Sequence, residues 1–295
     1  MPLNRWFDGG SLAVSDWHCP GQTLGTGPEE SAPACEVSIG RAGSHAVRTV
    51  EGETVVEPTR LLCVNAGEVF RPVRRAPGLE RRTRITLAAD AMRDLVSGEP
   101  RFLNRTAPLT ARAALAHHQL LRHVHAANRD ELAIHTLALE LAGHACATPP
   151  GRAAPPTSAI RDAIQAVQEL LARRYAEPLK LAALAAHVGL SPWHLSRSFR
   201  AHTGLGLHQY RTRLRLLSAL DRIRDTRCPE LARIAFEVGF SSHSHLTRAF
   251  QAFFRMPPSR VSKDALDRTG AALLSRRRSR APGSPSPRRR PPPGW

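Results

Sequence analysis

The stretch Leu181-Ala-Ala-Leu-Ala-Ala-His-Val-Gly189-Leu-Ser191 returns 50 residues later as Leu231-Ala-Arg-Ile-Ala-Phe-Glu-Val-Gly239-Phe-Ser241. Each copy runs into a second periodic stretch, Leu195-Ser-Arg197-Ser-Phe199 and Leu246-Thr-Arg248-Ala-Phe250, with one extra residue in the turn of the second copy. Apolar residues at helical spacing (Leu181, Leu184, Ala185; Leu231, Ile234, Ala235) predict a first helix with one buried face. The glycine at its end permits the left-handed conformation that turns the chain. Ser191 and Ser242 are placed to cap the next helix, and Pro192 stands at its first position in copy one. Each copy therefore reads as a helix-turn-helix.

In the second helix of each copy, Leu195 with Phe199 and Leu246 with Phe250 are four residues apart and hold one face to a core. The opposite face carries Trp193, His194, Ser196, Arg197 and Arg200 in copy one. In copy two it carries His243, Ser244, His245, Thr247 and Arg248, with Ser242 at its head, and neither face has an acidic residue. A major groove asks for such a face: a guanidinium takes guanine O6 and N7 together, while hydroxyl and imidazole groups serve phosphates or base edges. Between the copies, Leu207 to about Asp225 reads as one helix, roughly 27–29 Å long at ~1.5 Å per residue. That is close to the ~34 Å between successive major-groove faces. The pattern predicts a monomer that reads two adjacent grooves of double-stranded DNA.

Upstream, Thr148-Pro149-Pro150-Gly151-Arg152-Ala153-Ala154-Pro155-Pro156-Thr157 cannot be helix or central strand, because proline lacks the N–H and clashes with the preceding turn. Residues 148–157 are thus a linker. After it, Thr157 or Ser158 can cap a helix with Ile160, Ile164, Val167, Leu171 and Tyr175 on its apolar face. The charge changes at the same point. Of 42 Lys+Arg and 25 Asp+Glu, residues 1–155 hold 17 basic and 16 acidic, residues 156–274 hold 18 and 9, and residues 275–295 hold 7 and none. The last segment, Ser275-Arg-Arg-Arg-Ser-Arg280 and on to Trp295, is an Arg/Pro tail that buries nothing. It is expected to be disordered and suited to nonspecific phosphate contact.

The first 147 residues are of another kind. From Ala34 to Leu87 short β-type runs alternate with turn residues: Glu36–Ile39, Ala46–Val50, a turn at Gly52-Glu53, Thr54–Val56, Leu61–Val64, an Asn65–Glu68 turn, Val69-Phe70 and Arg84–Leu87. Regular short strands predict a small barrel or sandwich. Two amphipathic helices follow, Leu109–Ala126 and Glu131–Ala147, joined around Asn128. Residues 109–147 are candidates for a homodimer seam, or equally for packing on their own barrel. No apolar run approaches the ~20 residues of a bilayer span. The start, Met1-Pro2-Leu3-Asn4-Arg5-Trp6-Phe7-Asp8, lacks a signal-type apolar region, so a cytoplasmic protein with no membrane partner is expected. Cys19, Cys35, Cys63, Cys146 and Cys228 are odd in number and scattered, which argues against a disulfide framework or a CxxC metal site.

Residues from about 158 to 262 resemble the C-terminal DNA-binding domain of the AraC/XylS family of bacterial transcription regulators. The matching stretches are Pro178-Leu-Lys-Leu-Ala-Ala-Leu-Ala185, Gly189-Leu-Ser-Pro-Trp-His-Leu-Ser-Arg-Ser-Phe-Arg200, Thr203-Gly204, Tyr210 with Arg213, and Ile234-Ala-Phe-Glu-Val-Gly-Phe-Ser-Ser-His-Ser-His-Leu-Thr-Arg-Ala-Phe250 followed by Phe254 and Pro258. The resemblance implies two helix-turn-helix units joined by a long helix and control of transcription, as an activator more often than a repressor, with RNA polymerase as a partner. On matching positions it makes Trp193, Ser196, Arg197, His243, Ser244, His245 and Arg248 the base- and backbone-contacting set. The chain departs from the family at Arg255, where a glycine is usual, so the closing turn is expected to be strained or rebuilt; Val261-Ser262 replaces the usual Tyr-Arg.

For residues 1–147 the resemblance implies a cupin-like effector and dimerisation domain, in which Arg60–Val73 looks like a strand-turn-strand and a small molecule or partner exerts control. The cupin metal pattern is missing: His45 stands alone and His18-Cys19 has no companions. No metal and no cofactor are expected, and the histidines at 117, 118, 123, 125, 135 and 144 are read as exposed or core-satisfied. Two rival functions place an enzyme beside the DNA-binding unit. A DNA-alkylation repair methyl-acceptor would need a cluster of zinc-bound cysteines, and a cupin-fold enzyme would need metal ligands. A non-enzymatic regulator is the leading expectation.

Overall fold

The computed structural model describes residues 3–20, 24–96, 98–147, 158–225 and 230–261. The expected linker at 148–157, the Arg/Pro tail at 275–295 and Cys228 lie outside the described residues. Eleven strands come first among these: β1 Leu3–Asp8, β2 Leu12–Cys19, β3 Gly25–Thr26, β4 Glu30–Ser31, β5 Cys35–Ala42, β6 His45–Thr49, β7 Gly52–Val56, β8 Arg60–Val64, β9 Val69–Arg74, β10 Glu80–Leu87 and β11 Thr106–Pro108. Helix α1 Ala89–Leu95 interrupts them, and α2 Ala111–His125 and α3 Glu131–Cys146 follow. The C-terminal half is helical: α4 Ser158–Arg174, α5 Leu181–His187, α6 Pro192–Thr203, α7 Leu207–Asp225, α8 Leu231–Glu237 and α9 His243–Phe254, then a 3-10 turn Pro258–Val261.

The strands form two antiparallel sheets, one in the order β1-β2-β10-β5-β8-β11 and one in the order β3-β9-β6-β7, with β4 also on β9. Alternation decides what each face does. On β10, Thr83, Ile85 and Leu87 turn outward to α1–α3, while Glu80, Arg82 and Arg84 turn between the sheets. β8 and β9 lie in different sheets, so the Asn65–Glu68 turn carries the chain across rather than closing a hairpin. Asn65 holds that crossing by exchanging hydrogen bonds with the backbone of Phe102, at 3.2 and 2.7 Å. The β6–β7 turn falls at Val50-Glu51, two residues before the expected Gly52-Glu53, because the register pairs Thr49 with Gly52. Gly52 takes φ +128 and opens the next strand, and Val50 is fully exposed.

Thr110 and Asp130 cap α2 and α3 by accepting from the N–H of Ala113 and Ala133, so both expected helices form with Asn128 between them. Helix α3 packs on β2, β5 and β11, and α2 packs against α3, α7 and α9. Eight residues of α2 are buried, which commits most of its surface within the chain. One apolar core therefore runs without interruption from Val14, Ile39 and Ile85 of the first sheet, through Leu120 of α2, to Leu217 and Leu220 of α7 and Phe250 of α9. A second core joins Ile164, Val167 and Leu171 of α4, Leu184 of α5, Leu195 and Phe199 of α6, and Tyr210 and Leu214 of α7. Helix α7 belongs to both, its first half in the second core and its later half in the first. No helix among the described residues is long and apolar enough to cross a membrane.

Candidate nucleic-acid interface

Both repeats fold as their caps require. The Ser191 Oγ accepts the His194 N–H at 3.2 Å and the Ser242 Oγ accepts the His245 N–H at 3.1 Å. The turns before them are built alike: the Leu190 N–H donates to the Ala185 carbonyl at 3.0 Å, and the Phe240 N–H to the Ala235 carbonyl at 2.8 Å. Gly189 and Gly239 take φ +68 and +90. They differ in their surroundings. A Cβ on Gly189 would meet nothing within 4 Å, while one on Gly239 would lie 2.4 Å from the Ala176 carbonyl oxygen.

Leu195, Phe199, Leu246 and Phe250 are completely buried, which turns the opposite faces of α6 and α9 outward. Trp193, Ser196, Arg197, Arg200, His243, Ser244, His245 and Arg248 are exposed, and His194, Ser242 and Thr247 are half-buried. Of the apolar set expected on α5, Leu184 and Ala185 are buried but Leu181 is 41% exposed, because the seven-residue helix has too few turns to bring its first residue over the core. The exposed side chains are organised among themselves. Arg197 lies over the Trp193 ring at 5.3 Å, one helical turn away. His245 packs edge-on to Phe240 with centroids 5.1 Å apart and shares a hydrogen bond with the Ser241 Oγ at 3.1 Å, and His243 pairs with the Thr247 Oγ at 3.3 Å. Ser241 was not singled out from the sequence; its signal is its place immediately before the cap.

Several arginines of this half are engaged within it. Arg211 and Arg215 of α7 both donate to the Tyr175 carbonyl, at 2.9 and 2.8 Å, and so tie off the C-terminal end of α4. Burial, and then the neighbouring Arg211, pull the Arg215 guanidinium down to about 10. Arg222 and Arg233 both pair with Glu237, Arg174 with Glu177 and Arg224 with Asp221. Among the described residues, Arg197, Arg200 and Arg248 make no ion pair, and all three stand on the outward faces of α6 and α9. Those ion pairs are already cancelled in the net +9 of residues 156–274, and the three outward arginines stand where a groove would meet them.

Polar contacts join the first unit to the strands. Glu57, buried between β7 and β8, accepts from the Thr59 N–H at 2.6 Å, from the Thr59 hydroxyl at 2.5 Å and from the Tyr210 hydroxyl of α7. Tyr210 in turn packs edge-on to Phe199 of α6, with centroids 5.1 Å apart. Burial raises the Glu57 carboxyl above its ordinary range, and burial followed by Glu57 raises the Tyr210 phenol well above 10. Arg75 reaches Glu169 of α4 at 2.6 Å, and the Gln165 amide donates to the Glu53 carbonyl at 2.6 Å. Among the described residues no group of three or more His, Cys, Asp or Glu side chains could hold a metal ion. Cys19, Cys35 and Cys63 are buried free thiols, and burial pushes Cys63 up to about 12.

Two capped helix-turn-helix units on one connecting helix make the C-terminal half a helix-turn-helix domain. A family model described as a helix-turn-helix domain matches residues 184–264. The multiple antibiotic resistance protein MarA of Escherichia coli (strain K12) is 35% identical over 81 residues, which are 28% of this chain and 63% of MarA. The HTH-type transcriptional activator RhaS of Pectobacterium carotovorum is 31% identical over 108 residues, 37% of this chain and 38% of RhaS, and the regulator GlxA of Rhizobium meliloti is 38% identical over 103, 34% of this chain and 31% of GlxA. The chain thus spans less than two thirds of the relatives it matches. A solved structure of ToxT from Vibrio cholerae with bound unsaturated fatty acid aligns over 86% of this chain and 95% of its own, at 12% identity and a TM-score of 0.32. Residues 184–264 are thus similar to the helix-turn-helix domain of transcription regulators such as RhaS and GlxA.

Proposed function

We propose that the protein is a sequence-specific DNA-binding transcription factor of AraC/XylS type, acting in the cytoplasm as an activator more often than a repressor. One observation carries this reading: α6 and α9 turn acid-free faces outward with arginines that no carboxylate claims, and the 19-residue α7 joins them. Each helix enters one of two adjacent major grooves. Arg197 and Arg248 take guanine edges; Trp193, Ser196, Ser244, His243 and His245 contact bases or backbone; and His194, Arg200, Ser242 and Thr247 border the contact. The work divides into a cupin-like effector and dimerisation domain at 1–147, a linker at 148–157, the reading domain at 158–262 and a basic tail at 275–295. RNA polymerase is the partner on DNA, and a small molecule or protein acting on the first domain sets the output. A homodimer through 109–147 would draw on α3, where Leu132 is 77% exposed, since α2 is committed within the chain.

Selection of bound sites from random duplex, followed by footprinting, tests this reading. Two protected patches about one helical turn apart on one face are the expected result. Protection that is uniform over random sequence would remove the claim of sequence reading.

A further inference from the structure

Both outward-facing helices close on a residue in the left-handed conformation, but only α6 uses glycine for it. Gly204 ends α6 at φ +76 and Arg255 ends α9 at φ +61. In each, the cap N–H donates at 2.9 Å to the carbonyl four residues back, that of Arg200 or Gln251. The two positions correspond, since Leu195 and Leu246, Phe199 and Phe250, and Gly204 and Arg255 are all 51 residues apart. Arg255 is the one non-glycine residue of positive φ among those described. A Cβ in this conformation crowds the backbone, and such strain persists where something else depends on the residue.

No contact among the described residues accounts for it. Arg255 is exposed, and its guanidinium makes no ion pair among them. The negative end of the α9 dipole rewards a cation in the last turn. Yet that turn carries no base, and the cation stands at the strained position just beyond it. The dipole would have been served without strain one turn earlier, at the exposed Gln251 or Ala252.

Its place on the helix points to a partner outside the chain. Arg255 follows Arg248 by seven residues, so the backbone comes round to within about 20° of the same face and ~10 Å further along. Arg248 stands opposite the buried Leu246 and Phe250, on the face read as meeting base edges. A major groove is only ~12 Å wide, so a cation ~10 Å beyond a base-contacting residue reaches the phosphates that border it.

We propose that Arg255 is a phosphate anchor. Its guanidinium takes a backbone phosphate of the duplex at the far end of α9 and fixes the register of the second reading helix without reading a base. This rests on the reading of the C-terminal half as a DNA-binding domain and adds to it the contact for which the backbone is strained. The first unit, closing on Gly204, has no such anchor at the matching position.

Three variants of the full chain test this, each titrated with a selected and a random duplex over a range of salt and melted without DNA. Arg255→Gly is expected to weaken binding to both duplexes by roughly fivefold to tenfold at about 0.1 M salt and to flatten the salt slope by about one, with site preference unchanged. Its thermal midpoint should rise, because the strain is gone. Arg255→Asn, uncharged and also tolerant of the left-handed conformation, should lose as much on DNA. Arg255→Lys should keep most of the affinity and the slope, since a phosphate accepts a point charge. A more stable protein that binds DNA less well rules out a merely structural role for the arginine. Unchanged affinity in Arg255→Gly, a loss confined to the selected duplex, a fall in its midpoint, or a loss in Arg255→Lys as large as in Arg255→Asn would each overturn the anchor. The wild-type footprint keeps the two readings apart: a footprint that Arg255→Gly retains at full affinity discards the anchor alone, and a wild-type chain with no footprint discards the regulator and the anchor with it.

Discussion

The two helix-turn-helix units share a sequence pattern, a cap and a turn, yet they are attached to the rest of the molecule by different forces. The first, with α4 and the start of α7, has a core of its own and meets the strand domain through polar groups: Glu57 with Tyr210, Arg75 with Glu169, Gln165 with the Glu53 carbonyl. The second shares one apolar core with α2, α3 and the first sheet. Apolar burial is non-directional and roughly proportional to area, while a buried hydrogen bond is lost as a unit when a partner moves. The second unit is thus fixed to the body of the molecule. The first hangs on contacts that a change of charge or a small displacement can break.

The largest expected effect separates the two turns. Gly239→Ala combines left-handed backbone strain with a Cβ placed 2.4 Å from a backbone oxygen and should lose about 3 kcal/mol or more. Gly189→Ala carries only the strain and should lose about 1 kcal/mol. Urea midpoints of the two variants decide it, and equal losses would erase the difference in packing. On DNA, Arg197→Ala and Arg248→Ala should each weaken binding to a selected site by about 1–3 kcal/mol and relax base preference at one half-site only. Competition titration against random duplex measures this, and equal losses on both duplexes would show that neither arginine reads bases.

The polar attachment of the first unit should appear as a pH dependence. Burial raises the Glu57 carboxyl above its ordinary 4.5, so the folded chain holds that proton more tightly than the unfolded chain. Its contribution to stability is fully present below about pH 4.5 and declines as pH rises through the folded value. Glu57→Gln should flatten that part of the profile, and a Tyr210→Phe change should lose about 1 kcal/mol by unpairing Glu57 and Gln168. Denaturant melts across pH 4–8 measure both. The smallest effect concerns the helix ends. Helix α6 closes on Gly204 at φ +76 and α9 on Arg255 at φ +61, the one non-glycine residue of positive φ among those described. Arg255→Gly should stabilise by about 0.5–1 kcal/mol, read from the thermal midpoint.

What could be read from the chain follows from how local each signal is. Each copy of the repeat, the caps Ser191 and Ser242 and the span of α7 rest on residues close to one another, and they were legible; the strain at Arg255 was expected only from the resemblance, where a glycine is usual. Strands β1 and β2 were not: Leu3–Asp8 and Leu12–Cys19 mix charged, aromatic and small residues, and β10, which ties this hairpin into the sheet, lies far off in sequence. The seven-residue α1 has less than two turns in which to show a period. Nothing in Arg81-Arg82-Thr83-Arg84 separates the buried Arg82 from its neighbours, because only the Trp17 ladder partner and the sheet opposite bury it. The bond from Glu57 to Tyr210 spans over 150 residues and has no local trace.

The passage of one apolar core from sheet to α9 also bears on handling the molecule in pieces. A fragment starting at Ser158 would retain both reading helices but uncover the sides of α7 and α9 that α2 covers, Leu217 and Leu220 among them. The strand half is therefore the solubility partner of the helical half, and a fragment cut between them is expected to aggregate or pair with itself unless those leucines are replaced by polar residues.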